Sequence, residues 1–589
     1  MTNDFRTIAE AVAGMGALHP DRHFVFQDVR GEETTYRFAQ IDEDTRRRAA
    51  GLQALGLSKG DRFGLIVIEP EAFILTFLAA TRLGAIPVPL YPPMSFANLD
   101  AYADRTARIL SDAGATVLLA SKRLENILWG LVDQVPSCRK LVPVESLDRS
   151  NPSPELPEIH PDDLCFLQYT SGSTSEPKGV MVTHGNLVAN TQAMFARLGI
   201  DPALHTAVSW LPLYHDMGLI GHVLTPVVAT FSAVFIPTMR FIKRPICWLE
   251  AISKHHGGVS FAPNFAYALV TKRAKPEDIE RLDLSSMRIF GCGAEPIHAE
   301  TVERFIETFR PAGLDEQAFL PAYGMAEATL AMTLKPQGQR FGVNVVDAEQ
   351  FQAEGRAVGP ETEDTPVDIH VSCGTALPGH EIAVFSEEGE RLPDGVEGEL
   401  CFRGPSVTPG YLDNPEATAA TRRGEWLRTG DLGYVLQGEA YVTGRLKDLI
   451  ILNGRNVHPQ TIEWAAAEID GVRKGNVVAF SIPGADSEEL VLVLETQASD
   501  HATLVQEVRA RVQREMGLAI SEVVCVDKGG LPKTSSGKLQ RRKTRQLYLT
   551  GQIGQAVSRT FGAQGDKVTL ARHVARSLWS RAKATVLLR

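Results

Sequence analysis

Residues 169–179 (YTSGSTSEPKG) carry the residue types that bind a polyphosphate. An apolar run that predicts a strand leads directly into this segment, and a second such run follows it. Gly172 and Gly179 allow positive φ angles, so that backbone N–H groups can converge on an anion. The side chains add hydroxyl donors and one positive charge, from Thr170, Ser171, Ser173, Thr174 and Lys178. The segment is not a Walker A loop, because Pro177 stands where that pattern requires Gly.

Five further short motifs contain residues suited to nucleotide chemistry. In chain order they are residues 293–296 (GAEP), 323–327 (YGMAE), 429–431 (TGD), 444–448 (GRLKD) and 532–538 (PKTSSGK). Taken singly, each has an ordinary structural explanation. Asp431 can cap a turn, Glu327 can cap a helix, and Lys538 can be a solvated charge in a basic tail. Their joint presence in one chain favours one shared site.

Together, the six motifs resemble the signatures of the adenylate-forming superfamily, which includes acyl-CoA synthetases, nonribosomal adenylation domains and firefly-type luciferases. The motifs stand in the superfamily's order, and the resemblance extends over nearly all of the chain. The superfamily's phosphate loop has Gly where this chain has Ser175, a difference that leaves Lys178 in place. The resemblance implies an enzyme that joins a carboxylate to the α-phosphorus of ATP and releases pyrophosphate, with Mg²⁺ as cofactor.

The resemblance also assigns a role to individual residues. The residues implied to bind ATP are Thr170, Ser171, Gly172, Ser173, Thr174, Lys178, Gly293, Ala294, Glu295, Pro296, Tyr323, Gly324, Met325, Ala326, Asp431 and Arg445. Glu327 would hold Mg²⁺, Lys538 would be the catalytic lysine, and Lys447 would be the hinge between two domains. Because the attacking carboxylate and the phosphate are both anionic, positive charge aimed at them lowers the barrier.

Four strings resemble, more narrowly, the fatty acyl-AMP ligase subfamily. They are residues 209–221 (SWLPLYHDMGLIG), 260–270 (SFAPNFAYALV), 323–330 (YGMAEATL) and 453–463 (NGRNVHPQTIE), the last with departures at Asn453 and Val457. The 46 residues from Glu327 to Cys373 are also a longer interval than CoA ligases use. The polar, weakly periodic residues 334–371 within it predict a long loop at the place of the subfamily's insertion, which is thought to restrain the small domain.

The subfamily resemblance implies a substrate and an acceptor. His215 would stand near the acyl carboxylate as a catalytic residue, and the acyl pocket would include Asp216, Met217, Gly218, Asn264 and Phe265. Such enzymes activate a fatty acid and pass it to the phosphopantetheine thiol of an acyl carrier protein, here acting in trans, in lipid, polyketide or lipopeptide synthesis. Three alternatives remain open: a fatty acyl-CoA synthetase, a catalytically silent acyl- or AMP-binding module, and a luciferase-like oxidase.

The elements that position these residues follow from the apolar pattern. Short β-rich runs such as Glu381–Phe385 alternate with helical patterns such as Ala299–Phe309. This alternation predicts an α/β fold of parallel or mixed sheets with flanking helices. By the superfamily resemblance, residues 1–446 form a large domain that holds ATP and the fatty acid. Residues 447–589 form a small, mobile α+β domain that brings in Lys538.

Composition excludes several classes of protein. The chain has 589 residues, of which 44% are hydrophobic and 22% charged, and its net charge is −11. A soluble globular enzyme fits these values, and an acidic chain has no general attraction for nucleic acid. The seven cysteines include no C-x-x-C pair. They therefore predict neither a disulfide framework nor a zinc cluster, and they favour a reducing, cytoplasmic location.

Two segments raise the question of a membrane. Residues 217–239 are long enough to span a bilayer and carry no charge apart from His222. Their prolines and the preceding His-Asp pair favour a buried helix and strand instead. Residues 538–589 carry twelve Lys or Arg and one acidic residue, a net charge of +11. Within them, residues 570–588 predict an amphipathic basic helix that either packs on its own domain or docks on an acidic partner or a membrane surface.

Overall fold

The computed structural model describes residues 4–93, 99–148, 150–151, 154–170, 177–452, 455–483, 488–534 and 537–553. Strands in these ranges are β1 His23–Gln27, β2 Glu33–Arg37, β3 Arg62–Ile66, β4 Ile86–Pro89, β5 Val117–Ala120, β6 Lys140–Pro143, β7 Leu164–Thr170, β8 Lys178–Thr183, β9 Thr206–Ser209, β10 Ala233–Phe235, β11 Gly257–Ala262, β12 Ile289–Cys292, β13 Phe319–Gly324, β14 Ala331–Leu334, β15 Val343–Asp347, β16 Val367–Ala376, β17 Glu381–Phe385, β18 Gly398–Arg403, β19 Arg422–Arg423, β20 Trp426–Leu436, β21 Glu439–Arg445, β22 Ile450–Leu452, β23 Arg455–Val457, β24 Val472–Pro483, β25 Glu488–Thr496 and β26 Glu522–Val526.

The α-helices of the same ranges are α1 Ile8–Leu18, α2 Phe38–Ala54, α3 Pro70–Leu83, α4 Leu99–Asp112, α5 Glu125–Val132, α6 His184–Leu198, α7 Asp216–Leu219, α8 Thr225–Ala229, α9 Thr238–Lys243, α10 Cys247–His255, α11 Asn264–Arg273, α12 Pro276–Arg281, α13 Ala299–Phe309, α14 Ala348–Glu354, α15 Pro415–Ala420, α16 Pro459–Ala467, α17 His501–Met516 and α18 Arg541–Leu549. A π-helical turn, Ile220–Leu224, joins α7 to α8.

One large mixed sheet organises most of the chain. Its strand order is β17-β18-β20-β21-β16-β14-β13-β12-β11-β9-β10-β1-β2. Neighbouring strands are parallel from β1 through β10, β9, β11 and β12 to β13, and antiparallel from β13 through β14 and β16 to β21. Because parallel strands end at one edge of a sheet, the loops that follow β9, β11, β12 and β13 meet there. That edge carries the functional site.

Two smaller units flank this sheet on the N-terminal side of the chain. The strands β4, β3, β5 and β6 form a parallel sheet in that order. The strands β7 and β8 form an antiparallel pair whose register sets Thr170 opposite Lys178. Helix α6 begins directly after β8, because Thr183 caps it by accepting from the Asn186 N–H at 3.0 Å. This fixes the end of the strand that leaves the predicted phosphate loop.

Helix α3 lies in the centre of the large domain. Each of its residues from Phe73 to Leu83 is buried, because elements pack on all of its sides. Pro70 stands at its first position, where no backbone donor is lost. Gly84 ends it in the left-handed conformation with φ of 70°.

The C-terminal part of the described chain has a core of its own. Strands β24, β25 and β26 form one sheet, and β22 pairs with β23. Buried residues of this core come from these strands and from α16 and α17, among them Ile462, Leu492 and Val508. The observed architecture therefore matches the predicted α/β class with a smaller α+β unit.

Several local predictions are settled by the structure. Strand β17 and helix α13 have the predicted bounds. Residues 217–239 form α7, the π-helical turn, α8 and β10, in agreement with the predicted buried helix and strand. Within the described residues, no helix combines the length and the apolarity needed to cross a membrane. The predicted basic helix at 570–588 lies outside the described residues.

The prediction of a long loop at 334–371 is wrong. These residues form β15, α14 and the first part of β16, and β15 pairs antiparallel with β16. Alternation placed Val346 on the inner face with Phe351, Tyr434 and Tyr441. The outer face of the ribbon carries the exposed apolar side chains of Val343, Val345, Val367 and Ile369. The inner face includes the polar Asn344 and His370, so the sequence showed no clear apolar buried face, and tertiary pairing supplied the strand.

Candidate active site

Four loops converge where the parallel strands end. The loop after β9 carries Asp216, the loop after β11 carries Asn264, the loop after β12 carries Glu295, and the turn after β13 carries Glu327. All four line one cleft of about 4110 Å³, together with Lys538 from the small domain. Residues from distant motifs therefore share one site.

A buried carboxylate anchors one end of the cleft. The Tyr323 hydroxyl donates to Asp431 Oδ2 at 2.8 Å, and Arg445 Nε lies 3.2 Å from Asp431 Oδ1. Asp431 and Arg445 are directly opposite each other in the β20–β21 pair. Burial raises the pKa of Asp431, while Arg445 and the tyrosine hydroxyl oppose that shift. This rigid group is suited to accept hydrogen bonds from a ligand's hydroxyls.

Glu327 is held in a short 3₁₀ turn just past β13. The Tyr411 hydroxyl donates to Glu327 Oε1 at 2.6 Å, and Thr408 donates to the Glu327 carbonyl through its N–H and its hydroxyl. Burial raises the pKa of Glu327, and the nearby Asp216 raises it further. A carboxylate in this position can bind a cation that enters the cleft.

The donor set fits the predicted Mg²⁺. Among the residues that the structure describes, no group of three or more His, Cys, Asp or Glu side chains forms a complete metal site. Mg²⁺ is usually held by one or two carboxylates together with substrate phosphates. Glu327 would therefore hold the ion, and phosphate oxygens would complete its shell.

The phosphate-loop lysine also contacts Tyr411, the residue whose hydroxyl donates to Glu327. Lys178 Nζ is 5.0 Å from the centre of the Tyr411 ring. Thr170 and Lys178, at the two ends of the predicted loop, both line the cleft. The predicted residues between them, Ser171, Gly172, Ser173 and Thr174, lie outside the described residues.

Gly179 does not have the predicted backbone role. It is absent from the glycines with positive φ in the described chain. A Cβ at this position would lie 2.8 Å from the Tyr169 ring, so the glycine is required by close packing in the β7–β8 pair. The sequence alone could not distinguish these two reasons for a glycine.

Lys538 enters the cleft from the small domain. Its turn is closed by hydrogen bonds with Thr534, whose N–H donates to the Lys538 carbonyl at 2.7 Å and whose hydroxyl accepts from the Lys538 N–H at 3.1 Å. The surrounding walls lower the pKa of Lys538, and the carboxylates of Asp216, Glu295 and Asp431 partly offset this. Lys538 is still exposed to the open cleft. When an anionic ligand binds, the Lys538 ammonium can interact with the charge of the ligand in place of these carboxylates.

His215 and Asp216 line the same cleft as Lys538. Burial lowers the pKa of His215 to about 3, and Lys538 acts in the same direction. The imidazole is therefore neutral at pH 7 and offers hydrogen bonds without charge. Burial raises the pKa of Asp216, whose Oδ1 accepts from the Met217 N–H at 2.7 Å. Gly218 is required beside Pro212, whose carbonyl oxygen would lie 2.3 Å from an added Cβ.

The predicted adenine segment and the predicted acyl wall are directly joined. The Phe265 N–H donates to Glu295 Oε1 at 2.6 Å, and the His298 N–H donates to Asn264 Oδ1 at 3.2 Å. Glu295 therefore ties the loop after β12 to the start of α11, a role that the motif did not reveal. Ala294 has a φ of 68° and makes the sharp turn directly before Glu295. The remaining predicted residues, Gly293, Pro296, Gly324, Met325, Ala326 and Met217, also line the cleft.

Part of the cleft wall is apolar and forms what we call the apolar branch. Its lining side chains are Met194, Leu198, Ile200, Ala207, Phe231, Val259, Phe261, Leu330 and Leu334. His222 lies in its wall with both ring nitrogens engaged, Nδ1 with the Met217 carbonyl and Nε2 with the Phe261 N–H, each at 3.1 Å. Burial lowers the pKa of His222 to about 4, so it too is neutral. The sequence did not predict these residues, because their spacing equals that of ordinary core positions.

Three aromatic or imidazole residues near the site were also missed. Tyr411 contacts both Lys178 and Glu327. Trp464 of α16 lies with its ring centre 4.8 Å from that of His298, across the domain boundary. The Pro-Gly dipeptide before Tyr411 marks a tight turn in the sequence, and it gives no indication of what the ring contacts. Lys447, the predicted hinge, follows β21 in a short 3₁₀ turn at the edge of the cleft.

The fold and the cleft together define a nucleotide-dependent enzyme. The chain belongs to the family described as AMP-binding enzyme, whose model matches residues 13–412. The predicted superfamily membership and the prediction of an AMP-forming ligase are thereby confirmed. The domain boundaries and the roles of individual residues stay predictions.

Relatives and solved structures agree with this placement. The medium-chain-fatty-acid–acyl-carrier-protein ligase JamA of Moorena producens is 33% identical over 90% of this chain and 92% of its own length. A putative acyl-CoA synthetase of Caulobacter vibrioides is 36% identical over 88% of this chain and 91% of its own. A solved structure from a study of fatty acyl-adenylate ligases of E. coli and L. pneumophila superimposes with a TM-score of 0.86 and 34% identity, covering 94% of this chain and 99% of the other.

Proposed function

We propose that this protein is a fatty acyl-AMP ligase. It activates a medium- or long-chain fatty acid with ATP to give acyl-adenylate and pyrophosphate, and it passes the acyl group to the phosphopantetheine thiol of an acyl carrier protein in trans. The observation that carries this proposal is the position of Lys538, among Asp216, Glu295 and Asp431, in a cleft that continues into an apolar branch. The polar residues suited to a nucleotide and the apolar residues suited to an acyl chain thus line the same cleft as Lys538.

The residues of the cleft divide the work. Asp431, oriented by Tyr323 and Arg445, accepts from the ribose hydroxyls and fixes the nucleoside. Lys178 and Lys538 bring positive charge to the phosphates and to the fatty-acid carboxylate, which repel each other. Neutral His215 hydrogen-bonds to the acyl carboxylate and keeps it beside the α-phosphorus. Mg²⁺ held by Glu327 would supply charge neutralisation on the phosphates when bound.

The reaction itself is a displacement at phosphorus. A carboxylate oxygen forms a bond to the α-phosphorus, the bond to the bridging oxygen breaks, and pyrophosphate leaves with that electron pair. Preorganised positive charge is the main source of rate enhancement for such a step, and one donor typically contributes about 100- to 1000-fold. The acyl chain adds binding energy in the apolar branch, at about 0.8 kcal/mol per buried CH₂.

The acceptor is supported by contacts that hold the small domain. His458 Nε2 lies 3.0 Å from Glu397 Oε1, and the ring of Phe351, in the insertion, is 6.3 Å from that of His458. Both contacts favour the orientation in which Lys538 faces the nucleotide site. The relative JamA, by its name, uses an acyl carrier protein.

A reducing, cytoplasmic location is supported by the seven cysteines, which are all free.

One assay separates the proposal from its alternatives. The protein is incubated with ATP, Mg²⁺ and labelled fatty acids of several lengths, together with CoA, a phosphopantetheinylated carrier protein, or the same carrier without its thiol arm. We expect acyl-adenylate in every mixture and acyl transfer only to the carrier that bears the thiol. Abundant acyl-CoA would instead identify a CoA synthetase. Failure of acyl-adenylate to form with any fatty acid would identify a catalytically silent binding module.

A further inference from the structure

Tyr411 contacts both the phosphate-loop lysine, Lys178, and the acidic residue Glu327. Its hydroxyl donates to Glu327 Oε1 at 2.6 Å, and its ring centre lies 5.0 Å from Lys178 Nζ. The side chain is 7% exposed. One buried residue thus contacts two groups of opposite charge through two different parts of its side chain.

The chain around Tyr411 is fastened to both of these partners. On one side, the Leu412 N–H donates to the Gly179 carbonyl at 2.8 Å and the Met181 N–H donates to the Gly410 carbonyl at 2.9 Å. These bonds attach the segment to β8 directly after Lys178. On the other side, Thr408 donates twice to the Glu327 carbonyl, each time at 3.0 Å. The segment therefore clamps the start of β8 to the turn that holds Glu327.

The orientation of Tyr411 is also determined locally. Its N–H donates to the Thr418 hydroxyl at 2.9 Å. Gly410 precedes it at φ of 135°, and a Cβ there would lie 2.3 Å from Thr418 Cγ2. Only glycine is compatible with that turn. The turn therefore fixes the backbone from which the Tyr411 side chain extends.

We propose that Tyr411 is a positioning residue for adenylation, whose ring face directs Lys178 toward the phosphates and whose hydroxyl orients Glu327 toward the cation that it would hold. This inference rests on the proposed function and deepens it. Without Tyr411, the ammonium and the carboxylate would each lose a neutral partner, and any pairing between them would neutralise the charge that each must present to a ligand. With the ring present, Glu327 Oε1 is occupied by a neutral donor, and the ammonium rests on a π face that does not neutralise it.

Two substitutions separate the two contacts. Tyr411→Phe removes the hydroxyl and keeps the ring, whereas Tyr411→Leu removes both. For Tyr411→Phe we expect a loss of about 10-fold or more in kcat of fatty-acid-dependent pyrophosphate exchange, because a hydrogen bond to a charged group is lost. We expect its KM for ATP to stay within about twofold. Tyr411→Leu is expected to add a rise of about 2- to 5-fold in the KM for ATP, through loss of the cation–π contact.

Coupling between variants distinguishes positioning from a merely structural effect. Once Glu327→Gln is in place, Tyr411→Phe should cost less than about twofold in kcat, because the bond it removes has already been altered. Calorimetric titration with ATP alone gives a second readout that needs no fatty acid. There, Tyr411→Leu should weaken binding in the wild-type background and have no further effect in the Lys178→Met background.

A matched control lies at the β2 edge of the large sheet. The Tyr36 hydroxyl donates to Glu71 Oε1 at 2.8 Å, the same kind of bond at a place outside the cleft. Tyr36→Phe should change neither kcat nor ATP affinity. Additive effects of Tyr411 with both Lys178 and Glu327 would overturn the proposal, as would a Tyr411→Leu protein that binds ATP like the wild type. If ATP titrations show the expected coupling between Tyr411 and Lys178 but the wild-type protein activates no fatty acid, only the proposed function is contradicted.

Discussion

His458 Nε2, in the small domain, lies 3.0 Å from Glu397 Oε1, in the large domain, and both side chains are buried. The position of this pair is fixed by its neighbours. The Thr443 hydroxyl donates to Glu397, and a Cβ on Gly444 would lie 2.6 Å from His458 Nδ1. The contact therefore bridges the two domains, and its neighbours Thr443 and Gly444 lie just before Lys447, the predicted hinge. Rotation of the small domain requires that it be broken.

Glu397→Gln is expected to loosen the small domain. The folded environment lowers the pKa of Glu397, since His458 and Thr443 outweigh the effect of burial, and the carboxylate is charged at pH 7. Loss of a buried hydrogen bond to a charged group, such as that from Thr443, typically costs about 1.5 to 3 kcal/mol. We expect faster proteolysis between the domains and a lower melting temperature at pH 7. Glu381→Gln, which removes an exposed partner of Arg403, should change neither; equal effects of the two substitutions would contradict this assignment.

Four histidines with lowered pKa make the stability of the fold sensitive to acid. Burial lowers the pKa of each below 6.5, to about 4 in His184, His222 and His370 and to about 3 in His215. As pH falls below 6.5, the unfolded chain takes up protons that the folded one does not, so the free energy of unfolding decreases. Each group contributes up to about 1.4 kcal/mol per pH unit until its folded pKa is reached.

The test uses one of these histidines, because buried acids with raised pKa, among them Asp216 and Glu295, act in the opposite direction. His222→Gln can keep both hydrogen bonds of the imidazole with an uncharged amide. Denaturant unfolding between pH 6 and pH 4.5 should show a smaller loss of stability per pH unit in this variant than in the wild type. His160→Gln, at an exposed position, should leave the slope unchanged. A slope that is the same in all three proteins would contradict the assignment.

Lys538→Ala should abolish most of the adenylation activity. We expect kcat of pyrophosphate exchange to fall by about 100- to 1000-fold, because a preorganised cation is removed from the reacting groups. ATP binding, measured by calorimetry, should remain detectable, since Asp431, Tyr323 and Arg445 are untouched. Lys140→Ala provides a control, because that residue is exposed in β6 and does not line the cleft. An unchanged rate for Lys538→Ala would show that another lysine performs this role.

The length of the acyl chain should respond to Gly221. This residue lies in the π-helical turn and lines the cleft, and a Cβ there would meet Leu330 Cδ2 at an ordinary contact distance of 3.4 Å. Gly221→Ala should therefore preserve chain-length preference, and Gly221→Leu should shift it to shorter acids by filling the apolar branch. Each methylene excluded is worth about 0.8 kcal/mol, or roughly fourfold in kcat/KM. Unchanged preference in Gly221→Leu, with the protein folded, would place the acyl chain elsewhere.

The sequence predicted the site better where chemistry is carried by a motif than where it is carried by packing. Glu327, Asp431 and Lys538 were all named from short strings, and all three line the cleft. Tyr411 and the apolar branch were not found, because a buried tyrosine or an i, i+4 pair of apolar residues looks the same in a core and in a pocket. Residues 334–371 were misjudged as a loop, because β15 pairs with β16 across α14 and the exposed face of this ribbon is apolar.

By itself, the amino-acid sequence determined the class of protein, the chemistry of the reacting groups and the alternation of strands and helices. These depend on residue type and on short-range spacing, which a linear string contains in full. Only the tertiary structure decided that Lys538 reaches Asp216 and Glu295, that Tyr411 joins Lys178 to Glu327, and that His458 contacts Glu397. Such contacts depend on where strands end and how domains pack, and this is set by long-range burial and register that no local pattern records.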